Sequence, residues 1–214
     1  MIITKRKSIE EIEASLKAAK RIFIIGCAQC ATLCKTGGAE EVDEMEKILK
    51  KSKKIVTGKA VIDPACHLIK VKQFFHKNKE ALLKSDAILA MVCGDGVQSL
   101  VDGTKGGKVL PALDTLFLGE LERGGHFVQK CILCGECILS KTGGICPITV
   151  CSKGLLNGPC GGSKNERCEI DKDRDCGWML IYKRLKAIGE LDKMRVIVKP
   201  QDYSKGLKPQ KHIL

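Results

Sequence analysis

Residues 131–176 read CILCGECILSKTGGICPITVCSKGLLNGPCGGSKNERCEIDKDRDC, and this stretch decides how the chain is organised. It holds eight of the thirteen cysteines: Cys131, Cys134, Cys137, Cys146, Cys151, Cys160, Cys168 and Cys176. Glycine and proline punctuate it, and large apolar residues are few. A segment of this kind cannot bury enough side chain to hold itself together. Disulfides or metal must do it instead.

The rest of the sequence favours metal. Met1-Ile2-Ile3-Thr4-Lys5-Arg6-Lys7 has no signal-peptide character and leads into a charged helical pattern. No apolar run approaches the ~18 residues of a membrane-spanning helix. The expectation is a cytoplasmic chain without a membrane span. In such a reducing compartment, clustered cysteines bind metal or act catalytically more often than they form disulfides. Thirteen is also an odd number, which fits a complete disulfide framework poorly.

The formal charge of +12 first suggests nucleic acid. Two features argue against that partner. Aromatic residues make up only 4% of the chain, too few for a base-stacking platform. A 4Fe–4S centre with its four thiolates also adds about −2, so three such centres would roughly halve the formal charge. Most lysines fall on helix faces or in the tail, where they read as solvated surface.

Outward from the cysteine stretch, the N-terminal half alternates strand and helix. Ser8-Ile9-Glu10-Glu11 has the form of a capping box, and Ile9, Ile12, Leu16 and Ala19 recur at helical spacing. Residues 21–26 form a buried strand and 40–51 a helix with Val42, Met45 and Ile48 on one side. Residues 54–62 are a strand interrupted by Gly58. Leu68, Val71, Phe75 and Leu82 mark further helix. The run 87–92 is a continuous apolar strand, 97–101 a short helix, and 108–112 a further strand. The fold class expected is α/β, a Rossmann-like domain with a parallel sheet, followed by a cysteine-rich, ferredoxin-like metal module.

That topology gathers the other five cysteines. Cys27, Cys66 and Cys93 each stand at or just past a strand end, and Cys30 and Cys34 follow in the first loop. Ligands of open α/β sheets collect beyond the carboxyl ends of the strands. The five therefore converge on one crevice, and at least one is surplus to a four-ligand centre. Gly26, Gly37, Gly38, Gly94 and Gly96 crowd the same rim. No G-x-G-x-x-G follows the first strand and no G-x-x-x-x-G-K-[ST] occurs, so these glycines carry no nucleotide fingerprint.

In the C-terminal stretch, Cys131, Cys134 and Cys137 have the C-x-x-C-x-x-C spacing of ferredoxin sites. Three thiolates on one turn serve three corners of a cubane. Cys146-Pro147 resembles the fourth ferredoxin cysteine, which ligates the other cluster, so it is expected in the second centre, with the ligand pairing of Cys151, Cys160, Cys168 and Cys176 open. Zinc is the alternative, because tetrahedral thiolate sites also use C-x-x-C pairs and fold small segments outright. The turns at Thr142-Gly143-Gly144 and 157–162 permit tight bends. Trp178, Ile181, Leu185 and Ile188 mark a closing helix. Of the four histidines, His67 lies beside Cys66 and reads as a helix-start residue. His126 precedes the ferredoxin-like run, and His76 and His212 have no neighbouring chemistry. No nucleophilic triad or carboxylate pair is recognisable, and no catalytic residue is assigned.

The residues also resemble a family. Cys131-x-x-Cys134-Gly-x-Cys137, Leu139, Thr142-Gly-Gly-Ile-Cys146-Pro147, Cys151, Lys153, Leu155-Leu156-Asn157-Gly-Pro-Cys160-Gly-Gly and Cys176 are similar to the methylenetetrahydrofolate reductase C-terminal domain family. Gly26-Cys27-x-x-Cys30-x-x-x-Cys34, Gly37-Gly38, Cys66, Cys93-Gly94-x-Gly96-Val97-Gln98, Pro111-Ala112-Leu113-Asp114-Thr115 and Phe117-Leu118-Gly119 extend the likeness over nearly the whole chain. It resembles the small V-type subunit of acetogens and related anaerobes. The resemblance implies a flavin-bearing TIM-barrel catalytic partner, further electron-transfer subunits, and a role in reducing methylenetetrahydrofolate in the methyl branch of one-carbon metabolism. It leaves iron–sulfur and zinc both open.

Together these readings set three segments: an α/β domain over 1–122, a cysteine-rich metal module over 123–190 and a basic tail over 191–214. The chain is too short for a TIM barrel of about 250 residues beside its cysteine module. The expectation is an electron-transfer subunit with one N-terminal and two C-terminal 4Fe–4S clusters, or a zinc-stabilised docking subunit without redox function.

Overall fold

Short apolar runs alternating with amphipathic stretches give a mixed α/β architecture in the computed structural model, which describes residues 1–104, 106–206 and 210–211. The chain divides into two units. One comprises Met1–Phe117 with Arg123–Phe127, the other Leu118–Glu122 with Val128–Leu214.

The first unit begins with β1 (Ile2–Arg6) and α1 (Ile9–Ser15), then β2 (Arg21–Cys27), α2 (Cys30–Leu33) and α3 (Ala39–Lys51). It continues with β3 (Ile55–Ile62), α4 (Leu68–Lys77), α5 (Lys79–Leu83), β4 (Ala87–Met91), α6 (Gly94–Gly103) and β5 (Val109–Pro111). The unit boundary falls inside the next strand, β6 (Leu113–Leu121), and β7 (Phe127–Cys131) follows it.

The main sheet is parallel, four-stranded and ordered β3-β2-β4-β5. Side chains of β2 and β4 alternate between its faces, as a two-residue period requires. Ile22, Ile24, Leu89 and Met91 pack with Ile12, Leu16, Val42, Met45 and Leu49 of α1 and α3. Phe23, Ile25, Ile88, Ala90 and Val92 pack with Val71 and Leu100 of α4 and α6. Both faces are covered, so β2 and β4 read as unbroken apolar runs. The chain order reverses between β2 and β4, which puts the topological switch at the ends that carry Cys27 and Cys93.

Several local details differ from the sequence reading. Ser8 Oγ accepts the Glu11 N–H at 3.1 Å and caps α1, but the Glu11 carboxylate pairs with Lys7 at 2.5 Å instead of closing a capping box. Gly58 does not break β3. A Cβ there would sit 2.5 Å from the Phe23 ring, and the β2–β3 register shifts at Ile22/Phe23. The strand β1 lies where only charge was visible. No helix among the described residues is long and apolar enough to cross a membrane.

In the second unit, α7 (Pro147–Val150) and α8 (Gly177–Ala187) stand among turns. The buried core there is small: Cys176, Trp178, Ile181 and Leu185, with Ile145, Leu155, Met179 and Met194 partly buried around them. Ile188, expected on the helix face, lies past the end of α8 and is 39% exposed.

Asp86 ties the opposite end of the main sheet. It accepts the N–H groups of Lys20 and Arg21 at 2.9 and 2.8 Å and two bonds from the Arg21 guanidinium at 3.1 and 2.8 Å. The Arg21 side chain, then these N–H groups, hold its carboxyl at about 2. Its folded value is below the unfolded one. The associated stability is therefore present above the ordinary carboxylate range and is lost as pH falls from about 4 to about 2. Asp86→Asn should flatten this part of an acid-unfolding profile followed by circular dichroism. Parallel profiles for the two proteins would show that Asp86 does not set the acid limb.

Candidate metal centres

In the first unit the strand-end geometry gathers four thiols. Cys27 ends β2, Cys30 opens α2, Cys66 follows β3 and Cys93 caps α6. The Cys66 thiol is pushed up by burial first, then by negative charge at Asp95, Cys93 and Cys27. Cys93 is also raised, by burial foremost; the N–H groups of Gly96 and Asp95 oppose this, and the charges of Asp95 and Cys30 add to it. Cys66 thus senses Cys93 and Cys27, and Cys93 senses Cys30. Neighbouring thiolates repel, and a cationic core placed among them would relieve that repulsion and release their protons.

Cys34 ends α2 as its C-cap. It is buried, and its Sγ donates to the Ile2 carbonyl at 3.7 Å, while Ile2 N–H donates to Cys30 Sγ at 3.4 Å.

The rim glycines make backbone fit together. A Cβ at Gly26 would strike the Gly37 carbonyl, and one at Gly37 would strike the Met91 carbonyl. Cys27 N–H bonds to Gly37 O at 2.9 Å across this contact. Gly94 N–H donates to Thr115 Oγ1 at 2.8 Å and fixes the start of α6. The N-terminus of α6 aims free N–H groups at the Cys93 sulfur, the end of a helix that suits negative charge.

In the second unit, Cys151, Cys160, Cys168 and Cys176 line one cleft with Lys153, Ser163, Glu169, Gly177 and Trp178. A minimal ladder, Lys164 to Arg167 to Asp175, sets this up. Through it Cys168 N–H reaches Arg174 O at 3.0 Å and Cys176 N–H reaches Glu166 O at 2.7 Å. Cys168 lies 3.5 Å from Ser152 Oγ. That hydroxyl, then the N–H groups of Asp171 and Ile170, lower its pKa. Cys160 accepts the Gly162 N–H at 3.5 Å and donates to Glu169 Oε1 at 3.4 Å. Glu169 in turn pairs with Lys153, whose ammonium is raised by that bond first and further by Cys160 and Cys168.

The Asn157-Gly-Pro-Cys160-Gly-Gly run is explained position by position. Asn157 exchanges two bonds with Val198, at 2.7 and 2.8 Å. A Cβ at Gly158 would enter the Trp178 ring, whose Nε1 donates to Leu155 O at 3.0 Å. Gly161 has φ +80°, and a Cβ at Gly162 would strike the Glu169 carboxylate.

The remaining group starts at the end of β7. Leu133 N–H donates to Cys131 Sγ at 3.3 Å, with Leu133 at φ 57° and Gly135 at φ 79° making the turn. Cys134 Sγ lies 3.6 Å from Glu136 O. Thr149 Oγ1 reaches both Cys146 O at 3.2 Å and Lys130 O at 3.5 Å, so the turn of Cys146 is fastened beside Cys131. The cleft described above is lined by four cysteines, and Cys146 is not among them.

Residues that sequence reasoning did not single out lie around this loop. Gln201 Nε2 donates to Glu136 O at 2.9 Å and to Cys134 Sγ at 3.7 Å. The Glu136 carboxylate accepts from Asp202 N–H at 3.2 Å and Lys205 Nζ at 2.9 Å. These contacts span 65 to 69 residues and follow no periodic pattern, so nothing local announces them. The tail, expected as an extended basic segment, is thus bonded to the module through residue 205. Among the histidines, His67 caps α4 by accepting the Lys70 N–H at 3.5 Å, and His212 lies outside the described residues.

All thirteen cysteines are free. Among the described residues, no three Cys, His, Asp or Glu side chains are drawn close enough to hold a single metal ion. The donor chemistry of the cysteines fits thiolate-ligated cores, with N–H donors reaching the sulfurs of Cys30, Cys131 and Cys160.

Residues 110–204 match the family described as "Methylene-tetrahydrofolate reductase C terminal". The match associates this part of the chain with methylenetetrahydrofolate reductase and contains all eight cysteines of the second unit. No curated protein matches the chain.

Trp178 is the single tryptophan, so its fluorescence reports on the cleft. Gly158→Ala should overpack the Trp178 ring and cost about 1–3 kcal/mol. A denaturant titration followed by that fluorescence should show an earlier midpoint; a superimposable curve would show that the ring moves aside freely.

Proposed function

We propose that this chain is an iron–sulfur electron-transfer subunit that serves a flavin-bearing methylenetetrahydrofolate reductase catalytic subunit. The observation that supports the reading is the cleft lined by four cysteines, Cys151, Cys160, Cys168 and Cys176. Cys27, Cys30, Cys66 and Cys93 would hold one 4Fe–4S centre. Cys131, Cys134, Cys137 and Cys146 would hold a second, and Cys151, Cys160, Cys168 and Cys176 a third. Cys34 is left as a buried thiol bonded to backbone.

Such centres supply one-electron transfer, and the folate chemistry belongs to the partner's flavin. The residues of this chain set the conditions. Gly96 and Asp95 N–H groups hold charge on Cys93. Ser152 and two N–H groups favour thiolate at Cys168, and the Lys153 ammonium faces Cys160 and Cys168. Rigid strand ends and helix caps fix the sulfurs, so little rearrangement accompanies a change of charge.

The four-residue buried core of the second unit also suits a zinc-stabilised docking subunit, since metal would then supply the folding energy. Metal analysis separates the two. Under anoxic purification, about twelve iron and twelve sulfide per chain are expected on the iron–sulfur reading. Cys66→Ser, Cys134→Ser and Cys168→Ser should each remove about four irons and one EPR signal after dithionite, and Cys34→Ser none. A colourless chain carrying only zinc would end the electron-transfer reading.

A further inference from the structure

We infer that residues 196–206 form a strap that is a working part of the Cys131–Cys134–Cys137 centre, with Gln201 the positioning residue that sets its reduction potential. The inference rests on the iron–sulfur reading and deepens it. The side-chain amide of Gln201 has two hydrogens. One goes to Glu136 O at 2.9 Å and the other points to Cys134 Sγ at 3.7 Å. The first bond aims the second.

The strap is fastened at both ends. Val198, 8% exposed, is held by Asn157 through bonds of 2.7 and 2.8 Å. Beyond Gln201, Asp202 N–H and Lys205 Nζ grip the two oxygens of Glu136 at 3.2 and 2.9 Å. Backbone then lies on backbone. A Cβ at Gly135 would be 2.6 Å from Lys205 O, and one at Gly206 would be 2.9 Å from Leu133 O and 3.0 Å from Cys134. Glycine on each side is what permits the approach. A segment that merely covered apolar surface would have no need of a carboxylate anchor, two facing glycines and an amide aimed at sulfur.

The physical consequence has a sign. Reduction of a thiolate-bound centre adds negative charge that spreads onto the sulfurs. An N–H donor on a ligand sulfur stabilises the reduced state more than the oxidised one and raises the potential. The strap also closes one side of the loop from water. Gln201 therefore makes this centre a better electron acceptor than its four thiolates alone would.

Gln201→Leu keeps the bulk and removes both donors. In EPR-monitored redox titration of the full chain, it should move one centre to lower potential and leave the other two in place. Potentials unchanged from wild type, with all centres present, overturn the inference. Should Gln201→Leu lose the centre, Gln201→Asn, whose shorter amide cannot reach both acceptors, carries the test by the same readout. A second measurement needs no metal. In the metal-free chain, iodoacetamide should alkylate Cys134 faster in Gln201→Leu than in wild type, with Cys168 unchanged as internal control. Equal rates at Cys134 overturn the strap. If the wild-type chain takes up no iron at these cysteines, the electron-transfer reading fails, and the alkylation result still decides whether the strap guards Cys134.

Discussion

The placing of sulfurs at the ends of secondary structure is the constraint on which the first unit turns. Cys66 and Cys93 are raised by burial first, and in smaller part by the charge of Asp95 and of neighbouring cysteines. Sulfurs brought together in this way are costly unless protonated or bound to something cationic. The fold must hold them near one another before any such partner arrives. It does so with rigid backbone at strand ends and helix caps, and the first unit spends its large two-faced core on fixing those ends.

The second unit places its cysteines with far less core. Its buried cluster has four members, one of them Cys176 itself. Turns and direct backbone bonds take over: the ladder beside Cys168 and Cys176, the left-handed turn after Cys131, the Asn157–Val198 pair. Glycine appears where a side chain would block these contacts, as at Gly158 under the Trp178 ring and Gly135 under the strap.

How far the sequence could be read varies with the range of the interaction. The parallel sheet was legible because β2 and β4 are buried on both faces and therefore uniformly apolar. The placing of Cys27, Cys66 and Cys93 at or after strand ends was legible because the strands themselves were. β1 was missed, since Ile2–Arg6 sits in a charged run, and β6 was missed because Leu116 and Leu121 are exposed and blur its alternation. The standing of Cys34 was not readable, because it depends on a bond to Ile2, which belongs to that missed strand. Gln201 and Glu136 meet across 65 residues without any pattern that local reading could register.

The position of α7 links the two cysteine groups of the second unit. Cys146 caps its N-terminus and Cys151 its C-terminus, and only Pro147–Val150 lie between. At about 1.5 Å rise per residue, that single turn spans roughly 7.5 Å. Thr149, on the same turn, fastens it to Lys130 beside Cys131, while Cys151 lines the second cleft. One short helix therefore belongs to both groups. In two-cluster ferredoxins a Cys-Pro step likewise ties one cluster to the other through the chain. The spacing from Cys137 to Cys146 exceeds the ferredoxin pattern, and Ile138 to Ile145 between them include a short 3-10 turn and the Gly143-Gly144 bend, both glycines at positive φ. A helix shared in this way couples the geometry of the two groups. A displacement of either end of α7 moves a sulfur in each.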